Sequence, residues 1–225
     1  MSSIPSRAER QALTRTALVD AAERLFVAQG FHATSLDSVA AEAGYTKGAV
    51  YSNFASKEDL FFAVYERRVD IRVAEIRALL EAAPLARDAI EAMARTAPMR
   101  SDQDDGWLAV FFEFWAHVLR HEELRERFAA LHGRVIEPLS VATVRHAEEA
   151  GEALPDDPRK LATARYAMQL GLQLERLTQP DVVDPELGAR MVSHSIDGGS
   201  QDGLPDQAAS GLRKRRTREQ GSARA

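Results

Sequence analysis

From Thr46 to Phe54 the chain reads Thr-Lys-Gly-Ala-Val-Tyr-Ser-Asn-Phe, nine residues that combine polar donors, a bare glycine backbone and a few apolar anchors. Val50 and Phe54 stand at i and i+4, so on a helix both bury against the same neighbour. Thr46, Lys47, Gly48, Tyr51, Ser52 and Asn53 are then the residues on offer. A long ammonium side chain reaches guanine acceptors, a missing Cβ lets a helix come close, and hydroxyl or amide groups bind phosphate oxygens. The chemistry open to such a face is recognition of a duplex groove. A solvated helix face, or one that docks a protein partner, has the same pattern, and helical periodicity alone does not separate them.

A second group lies between Trp107 and Leu119, where Trp107, Phe111, Phe114 and Trp115 stand among further apolar residues that cover most of a helix circumference. Such a helix is central; it can line an apolar pocket or simply fill a core. Glu113, His117 and His121 follow at i, i+4 and i+8. Three ligands spread over roughly 12 Å of straight helix cannot share one ion, so no metal site is assigned.

Other chemistries are excluded by what is missing. There is no Gly-x-Ser-x-Gly elbow, no phosphate-binding glycine loop, no His-Glu-x-x-His pair and no cysteine, so no enzyme class is expected. The absence of Cys among 225 residues suits a reducing, cytoplasmic setting. With 29 basic and 34 acidic residues the formal charge is −5, so a nucleic-acid partner has to be argued from local residues. The longest charge-free stretch, Leu25 to Leu36, is broken by Gln29, Gly30, His32, Thr34 and Ser35 and is too short for the roughly 20 apolar residues of a membrane span. A signal segment is not expected either.

The elements that must position these residues read as helices throughout. Leu18, Ala22, Leu25 and Phe26 form one stripe of a helix over about Thr14 to Ala28, which Gly30 should end. Thr34 and Ser35 offer caps for a short second helix, with Asp37 three residues after Thr34, and Gly44 closes it. Thr46 caps a third short helix, and Ser56 with Asp59 opens a long one running to Pro84. Further helices are expected at about 85–96, 106–120, 122–150, 158–177 and 185–195, with Pro138 kinking the third of these, at 122–150. The reading is an all-α chain of about nine helices. It divides into a helix-turn-helix head at 10–60, with the motif itself near 35–54, a helical body at 61–196 and a disordered basic tail at 197–225.

Over about Thr14 to Arg67 the chain resembles the TetR family of transcriptional regulators. The likeness is carried by Ala21-Ala22, Leu25-Phe26, Gly30-Phe31, Ala33-Thr34-Ser35, Val39-Ala40, Ala43-Gly44, Thr46 to Tyr51, Phe54 and Ser56 to Leu60. Asn53 departs from it, standing where the family often has histidine. The resemblance implies a ligand-responsive regulator, most simply a repressor, that binds a palindromic operator as a homodimer. Its DNA contacts would be Lys47 and Gly48 on base edges, Thr46, Tyr51, Ser52 and Asn53 around them, and Ser35 and Lys57 on phosphates. Its body would hold a small hydrophobic or aromatic effector and no further cofactor, in a pocket taken here as Trp107, Phe111, Phe114, Trp115, His117 and Met168. The alternative is an α-helical protein-interaction scaffold.

Leu161, Ala164, Met168 and Leu172 mark one side of the helix at 158–177, and Leu170, Leu174 and Leu177 nearly the opposite side. Two buried faces need two partners. Together with the resemblance, this predicts a subunit interface of Leu170, Gly171, Leu174, Leu177, Leu187 and Met191, with Gly171 permitting close approach.

Overall fold

The computed structural model describes residues 6–95, 102–184 and 186–196, with the side chains of 102–105 left aside, and the expected tail at 197–225 lies outside the described residues. Among the described residues there are nine α-helices and no strand: α1 (Arg7–Ala33), α2 (Leu36–Ala43), α3 (Lys47–Tyr51), α4 (Lys57–Ala82), α5 (Ala86–Arg95), α6 (Asp102–Leu119), α7 (Glu122–Ala150), α8 (Pro158–Thr178) and α9 (Leu187–Ile196).

The first helix is longer than expected at both ends. Ser6 and Glu9 form a reciprocal capping box, so the helix starts at Arg7 rather than near Thr14. Gly30 does not end it. At φ 84° and ψ 169° it turns the backbone through a conformation that favours glycine, after which the chain makes one more turn to Ala33. The second helix is capped by Ser35 with Ser38, not by Thr34 with Asp37. Thr34 is buried, and its hydroxyl donates to the Gly30 carbonyl 2.8 Å away, which ties it to the end of α1. Gly44, in the left-handed region, closes α2 as expected. Helix α7 continues through buried Pro138 as a single element.

One aromatic cluster joins the head to the body. Phe61 of α4 stacks on Phe114 of α6 with ring centres 3.9 Å apart, Phe31 of α1 meets Phe114 at 5.0 Å, and Phe26 meets Phe61 at 5.1 Å. All four rings are buried to within 1% of full burial. Because α4 starts inside the head and runs on beside α5 and α7, the division at residue 60 falls within a continuous helix and a continuous core.

Candidate nucleic-acid interface and effector cavity

The head presents α3 as an outward-facing element. Val50 and Phe54 are buried and hold it down, while Thr46, Lys47, Gly48, Tyr51 and Ser52 are exposed, Tyr51 to 58%. At five residues α3 has few internal hydrogen bonds, so side chains complete it. Thr46 Oγ1 accepts from the Ala49 N–H at 3.2 Å, and the carbonyl of Ala49 accepts from Ser52 Oγ at 2.9 Å and Asn53 Nδ2 at 2.8 Å. Ser52 and Asn53 therefore shape the C-terminal end of the helix, and Asn53 is half-buried doing so. A Cβ built on Gly48 would meet only Thr46 Oγ1, at 3.8 Å, so nothing inside the protein requires glycine there. Lys47 forms an exposed ion pair with Asp37 of α2, whose carboxylate holds the ammonium pKa above its ordinary value.

Two of the expected phosphate contacts have internal partners. Ser35 Oγ caps α2 and remains exposed. Lys57 was expected to reach phosphate, but its ammonium donates to the carbonyls of Phe31 at 2.8 Å and His32 at 3.1 Å and lies 4.5 Å from the centre of the Phe31 ring. It neutralises the carbonyl end of α1, where a cation is favoured. Sequence reasoning passed over Arg15, whose guanidinium sits 4.7 Å above the Phe54 ring, beside α3. It also passed over Tyr45, exposed to 38% in the turn between α2 and α3.

The Glu113–His117–His121 ridge has a structural use at the junction of head and body. Glu113 accepts from the Phe31 N–H at 2.8 Å and the His32 N–H at 2.9 Å, the two donors that the Gly30 turn frees. A Cβ on Gly30 would lie 2.8 Å from Glu113 Oε2, so both the turn and the close approach depend on glycine. His117 stacks on His121 with ring centres 4.0 Å apart and stands 3.3 Å from Glu58. Burial and the neighbouring His121 press its pKa down, outweighing the Glu58 carboxylate.

The rings nominated as a pocket fill the core instead. Trp107, Phe111 and Phe114 are buried among other rings, Trp115 packs on Phe128 and His132, His117 lies at the junction, and Met168 is half-buried against the core. The apolar cavity lies elsewhere, between α4, α5, α7, α8 and α9, and none of those six residues lines it. The empty space there, open mouth included, is about 480 Å³. Ile90, Met93, Ala94, Leu139 and Val192 form its apolar wall; Arg72, Thr143, Arg165, Tyr166 and Gln169 supply the polar groups. Sequence periodicity held no signal for it, since a cavity is the space several helices fail to fill.

On α8, Leu170 is buried within its own protomer, so it does not face outward with the rest of the predicted interface. Gly171 is open, Leu174 and Leu177 are 42% and 37% exposed, Leu187 of α9 is half-buried and Met191 is 42% exposed.

Comparison with known proteins bears on both regions. The pattern described as "Bacterial regulatory proteins, tetR family" matches residues 18–64, and that described as "BetI-type transcriptional repressor, C-terminal" matches residues 86–199, about half of the chain. The chain belongs to the TetR family. It is thus a helix-turn-helix transcriptional regulator and not an enzyme. The HTH-type transcriptional activator FasR of Mycolicibacterium smegmatis is 31% identical over 136 residues, 60% of this chain and 54% of that protein. The chain thus matches about half the length of that relative. In fold, this TetR-family chain is similar to a regulator of Saccharomonospora viridis solved with choline, at 20% identity and TM-score 0.68, covering 83% of this chain and 97% of that one. It is also similar to FadR of Bacillus subtilis solved with stearoyl-CoA, at 14% identity and TM-score 0.61, covering 82% and 98%. Among the described residues no helix is long and apolar enough to cross a membrane.

Proposed function

We propose that this TetR-family regulator is a repressor that binds a palindromic operator in the cytoplasm as a homodimer and is released or recruited by a small effector held in the cavity between α4 and α9. The observation that carries the DNA reading is α3 itself, pinned by Val50 and Phe54 while Lys47, Gly48 and Tyr51 face outward. Lys47 and the bare backbone at Gly48 address base edges; Tyr51, Thr46, Ser35 and Arg15 address phosphates. Two such heads must sit about 34 Å apart to enter successive major grooves. The open stripe of Gly171, Leu174 and Leu177 on α8, with Met191 on α9, supports a two-fold interface between copies.

Effector binding can reach the head along α4. Arg72 of α4 lines the cavity, while one turn earlier Arg67 pairs with Asp20 and Glu23 of α1, and Arg68 with Glu23 at 2.6 Å. A ligand that shifts α4 therefore shifts α1 and the spacing of the heads, and a coupling of about 1–3 kcal/mol is enough for a switch. Repression rests on the BetI-type pattern, which covers the body; FasR, an activator by name, keeps activation as the second reading. The test is capture of genomic fragments by purified protein at two salt concentrations. One enriched palindrome should appear, lost in a Lys47→Ala, Tyr51→Ala variant that still sediments as a dimer. A promoter carrying that palindrome should be silenced by the protein. Enrichment unchanged in the variant would remove α3 from the DNA contact, and stimulated transcription would select activation.

A further inference from the structure

The cavity holds a cation without a counter-ion. Arg165 of α8 donates from one terminal nitrogen to Thr143 Oγ1 at 2.9 Å and from Nε to Ser195 Oγ at 3.2 Å, and it has no carboxylate partner among the described residues. Both hydroxyls direct their own hydrogens elsewhere, Thr143 to the Leu139 carbonyl at 2.9 Å and Ser195 to the Val192 carbonyl at 2.7 Å. They thus fix the orientation of the guanidinium without neutralising it. Burial pushes the Arg165 pKa down, the sign of a charge that its surroundings do not compensate. The other arginine in the cavity differs: Arg72 has Glu75 at 3.3 Å.

Gln169 stands on the same cavity wall. Its Nε2 donates to the Ala94 carbonyl at 3.2 Å, which fixes the amide's direction, and its Oε1 is buried with no hydrogen-bond partner. A half-buried charge without a counter-ion is costly unless something supplies one, and the Gln169 oxygen calls separately for a donor, which a water or hydroxyl provides and an ionised carboxylate does not.

Resting on the reading of this cavity as the effector site, the geometry points to an effector with one anionic head on an apolar body, a carboxylic acid or phosphate monoester seated on Arg165. The free N–H groups of the guanidinium form a planar fork that matches either oxyanion. The body of the effector lies against Ile90, Met93, Leu139 and Val192. A quaternary ammonium, such as the choline held by the regulator of Saccharomonospora viridis, would meet two guanidiniums and no lining carboxylate here.

Titration calorimetry on the full chain, with octanoate, octyl phosphate, octanol and choline as probes, tests this. Octanoate or octyl phosphate should bind about tenfold or more tightly than octanol, as expected for a charge-assisted hydrogen-bond pair, and choline should not bind. The ratio of the two anions identifies the head. In Arg165→Gln the anion preference should fall to near unity while octanol binding persists, and Arg165→Lys should restore part of it. Without ligand, Arg165→Met should melt at or above the parent's temperature, because it removes an uncompensated charge; this readout does not depend on the probe. Equal binding of octanol and the anions, an anion preference that survives Arg165→Gln, binding of choline, or no anion binding at all would each overturn the assignment. Anion binding at Arg165 that leaves operator affinity unchanged would instead overturn the regulatory reading of the cavity and leave the site standing.

Discussion

The face of α3 and the mostly apolar wall of the cavity both carry polar groups, but they manage them in opposite ways. Around α3 the internal demands are met: Thr46, Ser52 and Asn53 complete the helix ends, Asp37 pairs with Lys47, and what remains faces water. In the cavity, Arg165 has no opposite charge and Gln169 Oε1 has no donor among the described residues. Exposed groups can wait for DNA at no cost because water satisfies them. A buried group cannot, so the Gln169 oxygen, and to a lesser degree the half-buried Arg165 charge, mark an absent partner in a way that an exposed lysine does not.

The two regions nevertheless share a core, and breaking it should give the largest effect. Phe114→Ala removes the ring that stacks on Phe61 and meets Phe31, and should cost about 3–5 kcal/mol. Urea unfolding should show one transition at a lower midpoint; separate transitions for head and body would mean that the regions are independent. Glu113→Ala leaves the Phe31 and His32 N–H groups without their acceptor and should cost about 1–3 kcal/mol. In an operator-binding assay the same variant should respond less to effector, sharpening the comparison by isolating the link between the regions.

Gly48→Ala should separate stability from recognition. The added methyl meets open space and improves helix propensity, so the protein should gain up to about 1 kcal/mol. Operator affinity should fall about tenfold, read by fluorescence anisotropy, because the same methyl stands between the helix and the groove. An unchanged affinity would show that the backbone does not come close at Gly48.

The smallest effect concerns pH. Burial holds the His132 imidazole below its ordinary pKa, so on acidification the unfolded chain takes up its proton first. Stability from this group is complete above about pH 6.5, the ordinary histidine value, and is lost as pH falls below it. Melting temperature should therefore decline below that pH, and less so in His132→Phe.

Helix order and the outward face of α3 were legible in the sequence because each follows from local pattern: apolar spacing, a capping hydroxyl, a glycine stop. Even the true start of α1 was there, in Ser6 and Glu9, at the spacing of a capping box. Gly44 behaved as read, whereas Gly30 did not end its helix, since its turn is held by Glu113, 83 positions away and invisible to a local window. Lys57 looked free for phosphate until folding brought the last carbonyls of α1 to it. Leu170 shared a periodic stripe with Leu174 and Leu177, but the protomer's own core covers it alone.

The sequence by itself determined the all-helical fold, the family and the segment that carries the DNA-reading face, because these depend on residues near one another in the chain. Only the tertiary structure decided where the cavity lies. An aromatic helix packs its rings because interlocking rings fill space well, so Trp107, Phe111 and Phe114 became core. The opening formed where five helices meet around smaller and more polar residues, among them Thr143, Arg165 and Gln169, which no periodicity along the chain brings together.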